Sequence, residues 1–247
     1  MIQTSENVLA VIPARGGSKG LPKKNLLPLL ETPLVAYTIE AAKKCSSLDR
    51  IILSTDSQDI ANIGIDHGIE VPFIRPSELA TDVAHPYQVL QHAVNYLAST
   101  EDYTPDIIVT LQPTSPLRTS NHIDEVVNVL QNNPKMDSAI SVSETPFSPY
   151  WMFTINNDIL LPFVSDGTDY SLTRRQDLNK VYKPNGAVYA TTYKLLMNNN
   201  IIFSAFSSGN TGYVVMDDIS SLDIDTELDF KLVEAVLRDR ECTPREE

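Results

Sequence analysis

Cysteine is nearly absent from this 247-residue chain: only Cys45 and Cys242 occur, the second in a polar tail. Two such thiols do not make a disulfide framework, so a reducing cytoplasm is the expected compartment. Positive charge is also scarce. Lys and Arg number 19 against 32 Asp and Glu, a formal net charge of −13, which argues against nonspecific binding to nucleic acid. Long apolar runs are missing, and none approaches the roughly 18 residues of a membrane span. The first residues, MIQTSENVLAVIP, lack the basic segment and apolar core of a signal peptide. His67, His85, His92 and His122 show no metal-ligand spacing. Neither cysteine has a cation, partner cysteine or helix N-terminus arranged to activate it. What is left, 42% hydrophobic and 21% charged, is the composition of a globular chain: one large domain, or one with a smaller appendage.

Scarce as it is, positive charge is not evenly spread. Val11–Asn25 reads VIPARGGSKGLPKKN, and no acidic residue occurs between Asn7 and Leu30. Arg15, Lys19, Lys23 and Lys24 surround Gly16, Gly17 and Gly20. The spacing matches neither Gly-x-x-x-x-Gly-Lys-Ser/Thr nor Gly-x-Gly-x-x-Gly. A locally all-positive glycine loop in an acidic protein suggests an anion site, with a solvated basic turn as the competing reading.

The first half alternates regularly. Residues 7–14 form an apolar run of strand length that ends at the glycine loop. A helix is expected from Thr32, as N-cap, through Pro33 at its first position to Cys45. A strand at 50–56 and a helix closed by Gly68 follow, then extended VPFIRP and a helix over YQVLQHAVNYLAS. A third strand covers 106–113, and a helix at 121–132 aligns Ile123, Val126, Val127 and Leu130. A fourth strand spans 138–144. Apolar strands alternating with amphipathic helices predict an α/β fold with a mainly parallel sheet covered on both faces.

From about Thr145 the pattern shifts to turn formers, aromatics and short alternating strands, as in an inserted β-rich arm. Residues 145–184 are assigned to that arm, and 1–144 with 185–247 to the core. Trp151, Tyr150 and Phe153 are read as core or interface. The chain then returns to two strands, IIFSAF and GYVVMD, and a final helix. Thr226 and Asp229 make a capping box there, and Leu228, Leu232, Val233 and Val236 are the expected core face.

Ligands of such folds collect outside the carboxyl ends of the strands. The glycine loop, STDS at 54–57 and QPTSPLR at 112–118 all lie there. Backbone N–H groups of Gly16, Gly17 and Ser18 can form a nest around phosphate oxygens. Arg15 and Lys19 add charge, and Lys24 and Asn25 lie within reach of a ribose or the far phosphates. Asp223 and Asp225, two apart, share one side if that piece is extended, as a Mg²⁺ seat requires. The competing reading makes Asp223 a solvated turn residue and Asp225 the start of the last helix. Arg174 and Arg175 precede a polar turn and a strand carrying Tyr189. An arginine there can grip a carboxylate, or sit on a solvated edge.

IPARGGSKGLPKKN, LQPTSPLR, RRQDLNKVYKPNGAVY and DIDTELDF, in that order, resemble the bacterial cytidylyltransferases that activate nine-carbon α-keto sugar acids. This is the N-acylneuraminate (CMP-sialic acid synthetase) family, which includes legionaminate and pseudaminate cytidylyltransferases. The likeness runs from about Val8 to Phe230. It implies a GT-A/Rossmann-like nucleotidyltransferase fold, a homodimer built through the arm, and Mg²⁺. It also implies that CTP and a sugar acid yield CMP-sugar and pyrophosphate. Arg15, Gly16, Gly17, Ser18, Lys19, Lys24 and Asn25 fall on the nucleotide side, with Arg75 near the base. Gln112, Arg175 and Tyr189 fall on the sugar-acid side, and Asp223 and Asp225 on the metal pair. Arg15, Lys19 and Asp225 are the expected catalytic groups. There is one departure: Val83-Ala84-His85-Pro86 stands where the family often carries small hydroxyl residues near the cytosine. Rival readings are a nucleotidyltransferase using Kdo or a sugar 1-phosphate, and a nucleotide-binding regulatory domain without chemistry.

Overall fold

The structure, a computed structural model, describes residues 6–168, 170, 173–207 and 209–242, apart from the side chains of Arg175, Glu241 and Cys242. The strands are β1 (Val8–Pro13), β2 (Pro28–Leu29), β3 (Thr32–Pro33), β4 (Arg50–Ser54) and β5 (Ile107–Thr110). Next come β6 (Ser138–Glu144), β7 (Phe153–Asn156), β8 (Ile159–Pro162), β9 (Tyr182–Thr192) and β10 (Thr211–Val215). The helices are α1 (Leu34–Lys43), α2 (Gln58–Asp66), α3 (Pro86–Glu101), α4 (Ser120–Gln131), α5 (Tyr193–Asn199) and α6 (Glu227–Cys242).

Six strands form the main sheet in the order β10-β6-β9-β5-β1-β4. Only β9 runs against its neighbours, so the sheet is mainly parallel, as expected. Strand alternation builds both layers. Val8, Ala10 and Ile12 of β1 join Ile39 of α1 and Ile123, Val126 and Val127 of α4 on one face. Leu9 and Val11 join Leu90, Val94 and Leu97 of α3 on the other. Each Val, Leu or Ile among them stabilises the fold by about 1.5–3 kcal/mol. Burial on both faces is why β1 reads as a continuous apolar run rather than an alternating one.

Helix boundaries follow local chemistry. Gln88 Oε1 accepts from the His85 N–H at 2.9 Å, and Pro86 opens α3. Thr226 and Asp229 make the expected reciprocal box, Asp229 Oδ2 accepting from Thr226 N–H at 2.7 Å. α1 starts one residue later than expected. Thr32 and Pro33 pair with Leu29 and Pro28 in a two-residue ladder, so Pro33 is the cap and Leu34 the first helical residue.

Two sequence expectations fail. IIFSAF (201–206) is not a strand: the Ser204 N–H donates to Ser138 and Thr211 hydroxyls, and turns follow. In α6, Leu228 and Leu232 are 76% and 48% exposed. The buried face is Phe230, Val233, Val236 and Leu237, packed on Leu29, Leu34, Leu117 and Ile224. Helical phase is set by which side meets α1, and that is not a property of the local sequence.

In the arm, β7 and β8 form a hairpin whose eight residues are all exposed. Trp151 and Phe153 are partly exposed too, which removes the core reading for both. The last three residues assigned to the arm, Tyr182–Pro184, already belong to β9 of the main sheet.

Candidate active site

The loops after β1, β4 and β5 meet at the carboxyl edge of the sheet, as the fold predicts. Asn25 Nδ2 donates to the Arg15 carbonyl at 2.9 Å and closes the glycine loop on itself. Gly16 N–H donates to Asp56 Oδ1 at 2.9 Å, so the loop is tied to the end of β4. Of the three amides expected in a nest, that of Gly16 is therefore already engaged. Arg15 Nη1 and Lys19 Nζ both reach Asp82, at 2.8 Å each. Lys19 first, then Arg15, holds the Asp82 carboxyl below the usual range. One carboxylate thus bridges the two cations, as a phosphate oxygen would.

Lys24 faces the other way. Its side chain is buried, and Nζ donates to the Ile224 carbonyl and to Asp225 Oδ1, the latter at 3.1 Å. A Cβ placed on Gly20 would lie 2.4 Å from the Asp225 carbonyl oxygen. Glycine here is a requirement of close approach. These contacts seat the acidic segment directly on the glycine loop, and Ile224 N–H fixes it further by donating to the Thr114 carbonyl at 2.9 Å.

Two adjoining cavities open on this edge. The first, about 550 Å³, is bordered by Arg15, Gly17, Ser18, Lys24, Asn25 and Arg75. The second, about 590 Å³, is bordered by Ser143, Lys183, Asn185, Gly186 and Asp223. Gln112 and Tyr189 line both and form the partition. Burial, with Asp223 adding, pushes the Tyr189 hydroxyl above its ordinary pKa. Arg75 is buried, with Nε and Nη2 lacking hydrogen-bond partners among the described residues. Burial lowers its pKa, and Asp56 at 3.6 Å opposes that. Such donors, bordering a cavity, suit an acceptor-rich ligand.

The acidic pair fits a divalent cation by its donor set. Asp223 Oδ1 is buried with no hydrogen-bond partner among the described residues, and burial raises its pKa. Asp225 is exposed and held by Lys24. Among the described residues no cluster of three His, Cys, Asp or Glu is placed to hold a metal. Two carboxylates would leave the remaining positions to phosphate oxygens and water, the usual habit of Mg²⁺.

The residues expected at the site are therefore largely together, though in two groups. Gly16 and Lys19 lie beside the first cavity without lining it, and Asp225 lines neither. The Arg175 side chain lies outside the described residues. Cys45 is inert, as expected: burial, with Asp124 beside it, pushes its thiol up to about 11. Asp56, Asp82, Thr114 and Arg118 were missed. STDS and QPTSPLR, the motifs of Asp56, Thr114 and Arg118, carried the signal of position after a strand, whereas Asp82 lies in a turn between α2 and α3 with no such signal, and nothing local named the partners.

The cytidylyltransferase family model matches residues 9–211. An N-acylneuraminate cytidylyltransferase of Escherichia coli O18:K1:H7 is 36% identical over 225 residues. That alignment covers 91% of this chain but 51% of the relative, so the chain spans about half of that protein. A CMP-N,N'-diacetyllegionaminic acid synthase of Legionella pneumophila is 36% identical, covering 93% of this chain and 96% of its own. A pseudaminic acid cytidylyltransferase of Campylobacter jejuni is 34% identical, covering 81% and 84%. Among solved structures, a CMP:2-keto-3-deoxy-manno-octonic acid synthetase complexed with CTP superposes with a TM-score of 0.71 at 18% identity, covering 95% of this chain and 99% of its own. A 4-diphosphocytidyl-2C-methyl-D-erythritol synthase from Anaerococcus prevotii gives 0.65 at 14%, covering 95% and 100%. Those two likenesses speak to the fold, and the family match with the closer relatives speaks to descent: the chain belongs to the cytidylyltransferase family.

Proposed function

We propose that the protein transfers CMP from CTP to the anomeric hydroxyl of a nine-carbon nonulosonic acid, releasing pyrophosphate. The observation that carries this reading is the pair of cavities sharing Gln112 and Tyr189, one lined with cations and the other with Asp223 at its edge. Relatives named for sialic, legionaminic and pseudaminic acids support the acceptor class.

In this scheme Gly17, Ser18 and Arg15 bind the triphosphate, which displaces Asp82 from Arg15 and Lys19. Arg75, ion-paired with Asp56 through Nη2, directs its unpaired Nε–H to the nucleoside. Arg175 grips the acceptor carboxylate, and Gln112 and Tyr189 hold the acceptor at the partition. The acceptor hydroxyl oxygen then bonds to the α-phosphorus, giving up its proton to water, as the bond from phosphorus to the pyrophosphate oxygen breaks. Lys19 and the loop amides neutralise the charge that develops on the leaving pyrophosphate. Magnesium, held by Asp223 and Asp225, would supply charge neutralisation at the α-phosphate and a lowered pKa for the attacking hydroxyl. No helix among the described residues is long and apolar enough to cross a membrane.

Pyrophosphate release in Mg²⁺, crossing four nucleoside triphosphates with sialic, legionaminic, pseudaminic and Kdo acids, tests the proposal. Release with CTP and a nine-carbon acid is expected. Release only with Kdo, only with a sugar 1-phosphate added as a fifth acceptor, or with no pair at all, would defeat it.

The arm, residues 145–181 once β9 is set apart, is assigned to a homodimer. Ile155, Ile159, Leu160, Leu161 and Phe163 are all exposed on or beside the hairpin, more apolar surface than an unpaired hairpin keeps in water. Ile155 and Leu160 stand opposite each other. The double variant Ile155→Asp/Leu160→Asp is expected to sediment as a monomer while the wild type sediments as a dimer. A variant that still sediments as a dimer removes the hairpin from the interface.

A further inference from the structure

Arg118 is a buried cation that the scheme above leaves unused. It is 3% exposed, and among the described residues no carboxylate pairs with it. Burial pulls its pKa down to about 9, so it is still charged near neutrality. Nη1 and Nη2 donate to neutral oxygens of three separate elements, while Nε has no hydrogen-bond partner among the described residues. Nη1 donates to the Gln112 carbonyl at 3.1 Å and to the Ala187 carbonyl at 2.7 Å. Nη2 donates to Thr38 Oγ1 of α1 at 2.6 Å, and Thr38 donates to the same Gln112 carbonyl at 3.5 Å.

The bonded carbonyls identify what this clamp is for. The β6–β9 ladder is irregular: Ile140 pairs with Tyr189, whereas Val142 pairs with Pro184. Residues 185–188 therefore bulge, and Gly186 takes a positive φ of 78°. A bulge frees backbone groups from the ladder and re-aims the chain beside a site. The freed Ala187 carbonyl, like that of Gln112, must find a donor inside the protein. Gln112 Oε1 lies 3.5 Å from where a Gly186 Cβ would stand. The two segments that Arg118 joins are thus the two halves of the partition between the cavities. An apolar side chain would fill the same volume without the cost of burying a charge, but it would leave both carbonyls unpaired.

We propose that Arg118 is a positioning residue for the acceptor acid: it clamps the Gln112 and Ala187 carbonyls and so sets the partition formed by Gln112 and Tyr189, with Gly186 on its second-cavity side. The proposal rests on the two-cavity reading of the function. It predicts an effect on the acid rather than on the nucleotide, because the glycine loop makes none of these contacts. Lysine keeps the charge but lacks the planar fork that reaches three oxygens at once.

The test compares Arg118→Lys, Arg118→Met and Thr38→Val by steady-state kinetics, CTP calorimetry and amide hydrogen exchange. Arg118→Lys is expected to raise the KM for the acid about tenfold, with a smaller change in kcat and CTP affinity within about twofold. Arg118→Met is expected to lose more, so that lysine acts as partial rescue. If the Met variant does not fold, Arg118→Lys and Thr38→Val carry the comparison. Exchange of the amides of Gln112, Thr114 and Ser115 and of 186–188 is expected to quicken in Arg118→Lys without substrates present. Equal losses of CTP and acid binding, or a lowered melting temperature with unchanged kinetics, would reduce Arg118 to a packing role. A wild type that turns over no acid would overturn the proposed function. The exchange result would still decide the clamp, and unaltered exchange would refute it.

Discussion

Replacing Asp223 by Asn is expected to cost at least about a thousandfold in turnover while leaving the melting temperature no lower than that of the wild type. The two halves of that expectation come from one observation, the buried Oδ1 with no hydrogen-bond partner among the described residues. A desolvated carboxylate weakens a fold, so a neutral amide of the same shape relieves the fold. Yet such a carboxylate suits a cation that arrives with the substrate, and its removal takes transition-state stabilisation with it. About 4 kcal/mol of lost stabilisation corresponds to about a thousandfold in rate. Asp225→Asn should lose turnover similarly, but it also removes the charge partner of Lys24, whose ammonium Asp225 holds at 3.1 Å. Measuring kcat, Mn²⁺ binding by electron paramagnetic resonance and thermal melting on both variants separates these effects. Near-wild-type turnover in Asp223→Asn would remove it from the metal seat. Unchanged Mn²⁺ binding would do the same.

Gly20→Ala is the second large effect, about a hundredfold in kcat, from a single methyl group. That methyl would stand 2.4 Å from the Asp225 carbonyl oxygen, closer than any real contact, and the obstacle is backbone rather than a yielding side chain. The glycine loop and the acidic segment must then move apart by about an ångström, a displacement that can cost about a hundredfold in a reaction governed by alignment. Gly17 provides the contrast. A Cβ there meets nothing within 4 Å, so Gly17→Ala leaves the spacing of the two loops intact and should act on CTP affinity alone. Equal kcat values for the two variants would show that the Gly20 contact does not set the alignment.

Much of this architecture is legible in the chain because it depends on local periodicity. β6 has the expected bounds of Ser138–Glu144, and α4 buries Ile123, Val126, Val127 and Leu130 as its spacing requires. The Thr226–Asp229 box is equally local, since the partners lie three residues apart. The buried face of α6 is only half legible: Val233 and Val236 are covered as expected, whereas Leu228 and Leu232 are not. Leu228 and Leu232 are as apolar as Val233, and only the position of α1 and the 222–224 segment decides which side is covered. IIFSAF fails for the same reason, because Ser138 and Thr211 capture Ser204 before a ladder forms.

For the site, residue types were legible and partnerships were not. A glycine loop rich in cations and a later pair of aspartates can be read in order, because backbone nests and metal seats demand those side chains. Lys24 bonds Asp225 from 201 positions away, Arg15 meets Asp82 across 67, and Arg118 reaches Ala187 across 69. A chain of side-chain types fixes what each group can donate or accept. Which of them meet is set by strand order in the sheet, where β9 runs between β5 and β6 and brings Tyr189 to Gln112.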